Sequence, residues 1–187
     1  MIDAVLHTAQ DFEVFIADHS ESRFELIHGE IVEKVPTEVH GIIAAMIVHL
    51  LLTYALPRDL GRVSVEVRHQ PKGDNYNVRL PDVAFTTTER ALPPAEEGSV
   101  PQMPDLAVEI QSPSDRPREL REKAHFYLQN GSRLVWLVYP KSRSVEVCTL
   151  NESGSLQISP IASDGVLDGG DVLPDFTVPI SEFFRGV

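Results

Sequence analysis

Pro104-Asp105-Leu106-Ala107-Val108-Glu109-Ile110-Gln111 is the stretch on which the fold turns. It is short and largely apolar, without the alternation of a strand that meets water on one side. A strand of this kind is covered on both faces, so it belongs inside a sheet with helices packed on either side. Glu109 lies between Val108 and Ile110, where an ionised carboxylate is costly unless a partner compensates it. Downstream, Ser112-Pro113-Ser114-Asp115 is turn and cap chemistry, and residues 116–130 predict a helix with Pro117 in its first turn and Gly131 at its C-cap. Residues 134–139 form an apolar strand, and Pro140-Lys141-Ser142-Arg143 turns into another over 144–150. The remainder is turn-rich, with a last helical turn at 181–184.

Upstream, residues 88–103 are a loop rich in Pro, Glu and Gly. Residues 78–86 predict a strand pairing as a hairpin with 62–69, where Val63, Val65 and Val67 alternate with Ser64, Glu66 and Arg68. Ile42, Ile43, Met46, Ile47, Leu50, Leu51 and Tyr54 recur at helical spacing, with Thr37 as N-cap and Pro57 as the stop. Strands at 24–27 and 31–35 flank the turn His28-Gly29-Glu30, and residues 8–18 read as a short amphipathic helix. No repeat, low-complexity tract or linker interrupts this order. The expectation is a single domain over 1–187 of α+β (mixed α/β) class, with a central sheet.

The 187 residues include 42% apolar ones, enough for a core. The longest apolar run, 42–52, is interrupted by His49 and reads as a buried helix rather than a membrane span. Residues 1–10 show no basic region followed by an apolar one. The single cysteine, Cys148, excludes an internal disulfide framework and a cysteine-based zinc site. These features together predict a cytoplasmic protein without a membrane segment. Acids outnumber bases 28 to 16, for a net charge of −12. That is a poor start for a protein that coats DNA, yet residues 111–143 carry seven bases against three acids. A basic face built on Arg116, Arg118 and Arg121 and an ordinary solvated helix surface both fit this pattern.

Several chemistries are absent from the sequence. There is no Gly-x-x-x-x-Gly-Lys-Ser/Thr loop, no Gly-x-Gly-x-x-Gly after a strand, no His-Glu-x-x-His and no Gly-x-Ser-x-Gly. What remains is a pair of acids on apolar strands, Glu109 and the Asp82 of Arg79-Leu80-Pro81-Asp82-Val83-Ala84-Phe85. Either alone reads most simply as an acid facing solvent at a sheet edge. Two on adjacent strands repel each other, and a divalent ion relieves the repulsion. Oxygen-rich sites of this kind suit Mg²⁺ or Mn²⁺.

Five segments in order resemble the Uma2 family, restriction-endonuclease-like proteins of the PD-(D/E)xK nuclease superfamily. They are Phe24-Glu25-Leu26-Ile27-His28-Gly29-Glu30, Leu80-Pro81-Asp82-Val83-Ala84-Phe85, Pro104 through Asp115, Glu122-Lys123-Ala124-His125-Phe126-Tyr127, and Asn130 through Pro140. Asp171-Val172-Leu173-Pro174 is similar to the family's tail. The resemblance implies a central mixed sheet flanked by helices, with the acids near its middle. It also implies a metal-dependent endonuclease acting on DNA through Mg²⁺ or Mn²⁺, and a homodimer. Asp82 matches the motif aspartate and Glu109 the glutamate of Glu-x-Lys, with the Ile110 carbonyl as a further metal ligand.

The chain departs from that pattern at Gln111, which stands where the motif has lysine and cannot supply charge. Lys123 matches a lysine on the following helix. Its spacing from Leu120 and Tyr127 puts it at the border of the inward stripe, where a snorkelling lysine is the equal alternative. Glu25 and Glu30 are candidates for a third acid, with Glu25 in the strand slightly favoured. His40, at the start of the long helix, either turns toward the same cleft or serves, as a lone histidine more often does, in a cap or the core. The non-enzymatic alternative is a nuclease-like fold kept as a binding or regulatory module.

Overall fold

The computed structural model describes residues 6–187; the first half of the 1–10 stretch read for a leader lies outside them. Helix α1 (Ala9–Asp18) is closed by a capping box between Thr8 and Asp11. Strands β1 (Arg23–Ile27) and β2 (Glu30–Lys34) follow as an antiparallel hairpin. Its turn is the dipeptide His28-Gly29, with φ of 51° and 83°, the left-handed pair that a two-residue hairpin turn requires. Glu30 therefore lies in the strand, not in the turn. Helix α2 (Glu38–Ala55) starts at the Thr37 cap. Among the described residues, Glu38–Arg58 is the one helical stretch long and apolar enough to cross a membrane by length and composition. Its face of Ile43, Ile47, Leu51 and Ala55 is buried in the core.

Strand β3 (Gly61–Val65) ends where Glu66 adopts φ of 50°, so the strand expected to reach residue 69 is shorter. It pairs antiparallel with β4 (Val83–Thr87), as expected of the 62–69 and 78–86 hairpin. Residues 78–82 leave the sheet. Pro81 has no N–H for a ladder, the Leu80 N–H goes to Glu25, and Val78 exchanges hydrogen bonds with Leu26. Strand β5 (Leu106–Ile110) is antiparallel to β4 and parallel to β6 (Leu134–Tyr139), and α3 (Pro117–Gln129) makes the crossover. Strands β7 (Ser144–Leu150) and β8 (Leu156–Ile161) complete a six-stranded mixed sheet of order β3-β4-β5-β6-β7-β8. A small pair, β9 (Val166–Asp168) and β10 (Thr177–Pro179), and a 3₁₀ turn at Ile180–Phe184 end the chain.

The period of two along β5 sorts its side chains. Leu106, Val108 and Ile110 join α2, Trp136 and Phe183 in one core layer. Ala107 joins Leu120, Ala124, Tyr127 and the buried Cys148 in the layer under α3. Glu109 shares the face of Ala107, so it points at α3 from the C-terminal end of the central strand. The fold thus sets one acid at the sheet's middle and aims it at the helix that carries Lys123.

Candidate active site

Six chain segments bring one titratable side chain each to the C-terminal end of β5. Glu25 comes from β1, Lys34 from β2, His40 from the first turn of α2, Asp82 from the residue before β4, Glu109 from β5 and Lys123 from α3. All six line a cavity of about 510 Å³. The three acids are buried, with Glu25, Asp82 and Glu109 exposed by 1%, 2% and 3%.

Two ammonium groups tie them into a chain. Lys123 Nζ lies 2.7 Å from Glu25 Oε2 and 3.5 Å from Glu109 Oε2. Lys34 Nζ lies 3.4 Å from Glu109 Oε2 and 2.7 Å from Asp82 Oδ1, and also donates to the Leu80 carbonyl at 2.7 Å. Each acid has a further neutral partner. The Leu80 N–H donates to Glu25 at 2.9 Å, the Tyr127 hydroxyl to Glu109 at 2.7 Å and the Ile110 N–H to Asp82 at 2.6 Å. His40 Nε2 lies 3.0 Å from Asp82 Oδ2, where a carboxylate can only accept, so the ring nitrogen donates.

Three carboxylates face two ammonium groups, so one acid is in excess. Burial favours the neutral form of all three. At Asp82, Lys34 and then His40 outweigh burial and hold the carboxyl well below the usual range. At Glu25, Lys123, Lys34 and the Leu80 N–H also outweigh burial and lower the carboxyl. At Glu109, burial, reinforced by the charges of Asp82 and Glu25, prevails over both lysines and pushes the carboxyl up. The strain of the excess charge falls on Glu109. Burial opposes the charge on Lys34 and Lys123 too, but the carboxylates around them raise both above the usual lysine range.

The donor chemistry fits a divalent cation. Asp82, Glu109 and the Leu80 carbonyl turn three oxygens toward one point, and the Lys34 ammonium stands there as a resident cation. Hard-oxygen donors converging on one positive centre are what Mg²⁺ or Mn²⁺ takes. As arranged, the lysines hold the acids apart. Among the described residues no group of three or more His, Cys, Asp or Glu is close enough to share an ion. A metal would take the place of an ammonium that sits on a flexible stem.

The sequence-derived candidates divide accordingly. Asp82, Glu109, Lys123, Glu25 and His40 are brought together. Ile110 adjoins them, with its N–H engaged by Asp82. Gln111 is turned aside, its amide donating to the Asp115 carbonyl at 3.0 Å. Glu30 is exposed at the start of β2. Arg116, Arg118 and Arg121 are not among the residues lining the cavity. Arg118 pairs with Glu122 on the helix surface and Arg121 with Glu146 on β7.

The sequence pattern marks neither Lys34 nor Tyr127 as a site residue. The signal for Lys34 was the turn. A two-residue turn pairs Arg23 with Lys34 and Glu25 with Val32, so Glu25 and Lys34 share one face of the hairpin. A three-residue turn puts them on opposite faces.

A mixed six-stranded sheet with a helix on each face, its buried acids at the end of the central strand, defines a nuclease-like fold class. The same fold is seen in a crystal structure from Anabaena variabilis ATCC 29413 described as "a putative nuclease belonging to DUF820". The two share 21% identity with a TM-score of 0.77, over 95% of this chain and 97% of that one. The family follows from the sequence: the Uma2 model, described as "Putative restriction endonuclease", matches residues 9–181, and the chain belongs to the Uma2 family. No curated protein matches the chain.

Proposed function

We propose that this chain is a divalent-metal-dependent endonuclease that hydrolyses phosphodiester bonds, with DNA as its substrate. The observation that carries the reading is the single cation position between Asp82 and Glu109, marked by the Lys34 ammonium at 2.7 and 3.4 Å. Asp82 and Glu109 would hold Mg²⁺ or Mn²⁺, with the Ile110 carbonyl as a further ligand. Such an ion supplies Lewis acidity toward a phosphoryl oxygen and activates water at neutral pH. His40 and the Ile110 N–H fix the Asp82 carboxylate, and Tyr127 fixes Glu109, so neither acid reorients during turnover. Lys123, between Glu25 and Glu109, supplies the positive charge that Gln111 lacks. It opposes the negative charge that builds on the phosphoryl oxygens in the transition state. A cytoplasmic location, and two copies acting together on the two strands of a duplex, complete the reading.

One observation favours the rival, a non-catalytic binding module: the Lys34 ammonium already stands between the two acids that a metal would need. Purified protein incubated with supercoiled plasmid in Mn²⁺ or Mg²⁺ separates the two. The endonuclease reading expects nicking and linearisation that chelation stops and that Asp82→Asn reduces by roughly 10²-fold or more. Plasmid and RNA left intact under both metals would leave the module.

A further inference from the structure

Arg79 is a buried guanidinium in the wall of the same cavity, and no role in the cluster accounts for it. The residue is 3% exposed, yet it makes no ion pair with any carboxylate among the described residues. Among the described residues its Nε has no hydrogen-bond partner, and its Nη2 has one long contact, 3.4 Å to Asn77 Oδ1. The other two cations at this cavity, Lys34 and Lys123, each touch two carboxylates. The partly exposed Arg90 also reaches a fully buried acid, Asp105, at 2.6 Å. A guanidinium carries five donors and is costly to bury with most of them unused.

Arg79 is held in place by two features. The backbone of its segment exchanges two hydrogen bonds with His69, and its guanidinium carbon lies 4.2 Å above the centroid of Phe126, which also lines the cavity. The ring holds the guanidinium in the cavity wall, with Nε unpaired and Nη2 in that one long contact. A planar fork of this kind matches the two oxygens of a phosphate bidentately, which a lysine cannot do. Arg79 also follows Val78 and precedes Leu80 by one residue each, and the Leu80 N–H and carbonyl are tied to Glu25 and Lys34. The arginine is thus rigidly coupled to the acid cluster without being neutralised by it.

We propose that Arg79 is the phosphate-binding residue of the cavity, a preorganised guanidinium whose missing partner is a phosphodiester oxygen of the ligand. This rests on the reading of the cavity as a phosphodiester site, and its test is independent of metal and of cleavage. The probe is inorganic phosphate, added to metal-free protein in chelator, with sodium chloride at equal ionic strength as control.

Phosphate, and not chloride, is expected to raise the melting temperature of the wild type through mass action. Arg79→Met keeps an unbranched apolar stem out to about the Nε position and removes the guanidinium charge. It is expected to melt at or above the wild-type temperature in plain buffer, because a buried charge without partners is gone, and to show no response to phosphate. Its affinity for a fluorescent duplex oligonucleotide is expected to fall about 10-fold, with the salt slope shallower by about 0.9, the share of one phosphate contact. Arg79→Gln is the second neutral variant if the methionine protein does not fold.

A neutral variant that melts lower but keeps the full phosphate response would make Arg79 a structural residue and overturn the proposal. So would a wild type that phosphate does not stabilise. A phosphate shift that depends on Arg79 in a protein that cleaves nothing would uphold the proposal while rejecting the nuclease. Cleavage with a phosphate response indifferent to Arg79 would do the reverse.

Discussion

Helix α3 sends two cations in different directions, and the two clusters they enter are built to different rules. Arg121 meets Glu146 of β7: its Nε donates to Glu146 Oε2 at 2.9 Å, its second nitrogen contacts the other oxygen, and the Tyr139 hydroxyl adds a bond of 2.8 Å. One positive and one negative charge close on each other, and the hydrogen bond from Arg121 outweighs burial and holds the Glu146 carboxyl low. Lys123 enters the cavity instead, where three acids share two lysines and Glu109 is pushed up by burial. A closed pair needs nothing more and serves to pin α3 on the sheet. An open cluster with one acid in excess is stabilised by a further cation, which is the property that a metal site requires.

The comparison breaks most readily on activity. Glu109→Gln and Lys123→Met are each expected to lower the plasmid-nicking rate by roughly 10²-fold or more. Their counterparts Glu146→Gln and Arg121→Met should nick within about twofold of the wild type, since they lie outside the cavity that holds the reacting groups. Equal losses at both clusters would mean that the cavity is no more the site than the α3–β7 pair.

Stability should move in opposite directions. Removing Glu109 leaves Lys34 with Asp82 and Lys123 with Glu25, two matched pairs. Metal-free Glu109→Gln is therefore expected to gain about 1 kcal/mol, a rise of roughly 2–4 °C in melting temperature. Glu146→Gln weakens charged hydrogen bonds to Arg121 and should lose about 1 kcal/mol. Asp82→Asn, which strips Lys34 of its nearest carboxylate, should also lose stability. The repulsion expected from the sequence at either acid is concentrated at Glu109. Thermal melts in chelator read all three signs.

The smallest effect is on pH dependence, and its sign again separates the clusters. Glu146 has a lowered pKa in the folded state, so its contribution is present above the ordinary glutamate value of 4.5 and is lost as pH falls through the folded value. The wild type should therefore lead Glu146→Gln near neutrality, and the gap should close on acidification. Glu109 has a raised pKa, so it destabilises the fold as pH rises above 4.5. Glu109→Gln should match the wild type in acid and overtake it toward neutrality. Melting curves over the acid range check both.

Much of this was legible in the residues. The apolar run around Glu109 predicts a covered central strand. Pro117 and Gly131 bracket α3, and the adjacency of the strands carrying Asp82 and Glu109 follows from the single loop that joins them. The same run holds a second buried acid, Asp105, whose oxygens are taken by the Thr87 N–H and Arg90. Nothing in the local pattern distinguishes that structural acid from Glu109, because the difference lies in partners 15 and 18 residues away in one case and in Lys34, 75 residues away, in the other. Lys34 was hidden by one residue of turn length, which reverses the face of the strand. Tyr127 reads as apolar stripe because its ring is, and its hydroxyl is what reaches Glu109. Arg79 was hidden because a missing partner leaves no trace in sequence.

The central claim is that the Glu109 cluster is an open cation site, and Mn²⁺ binding measured by calorimetry tests it most directly. Wild type and Glu146→Gln are expected to bind Mn²⁺ alike, and Glu109→Gln to show no saturable heat, because the excess acid that admits the ion is gone. Equal Mn²⁺ binding by the wild type and Glu109→Gln, or none by the wild type, would contradict the account.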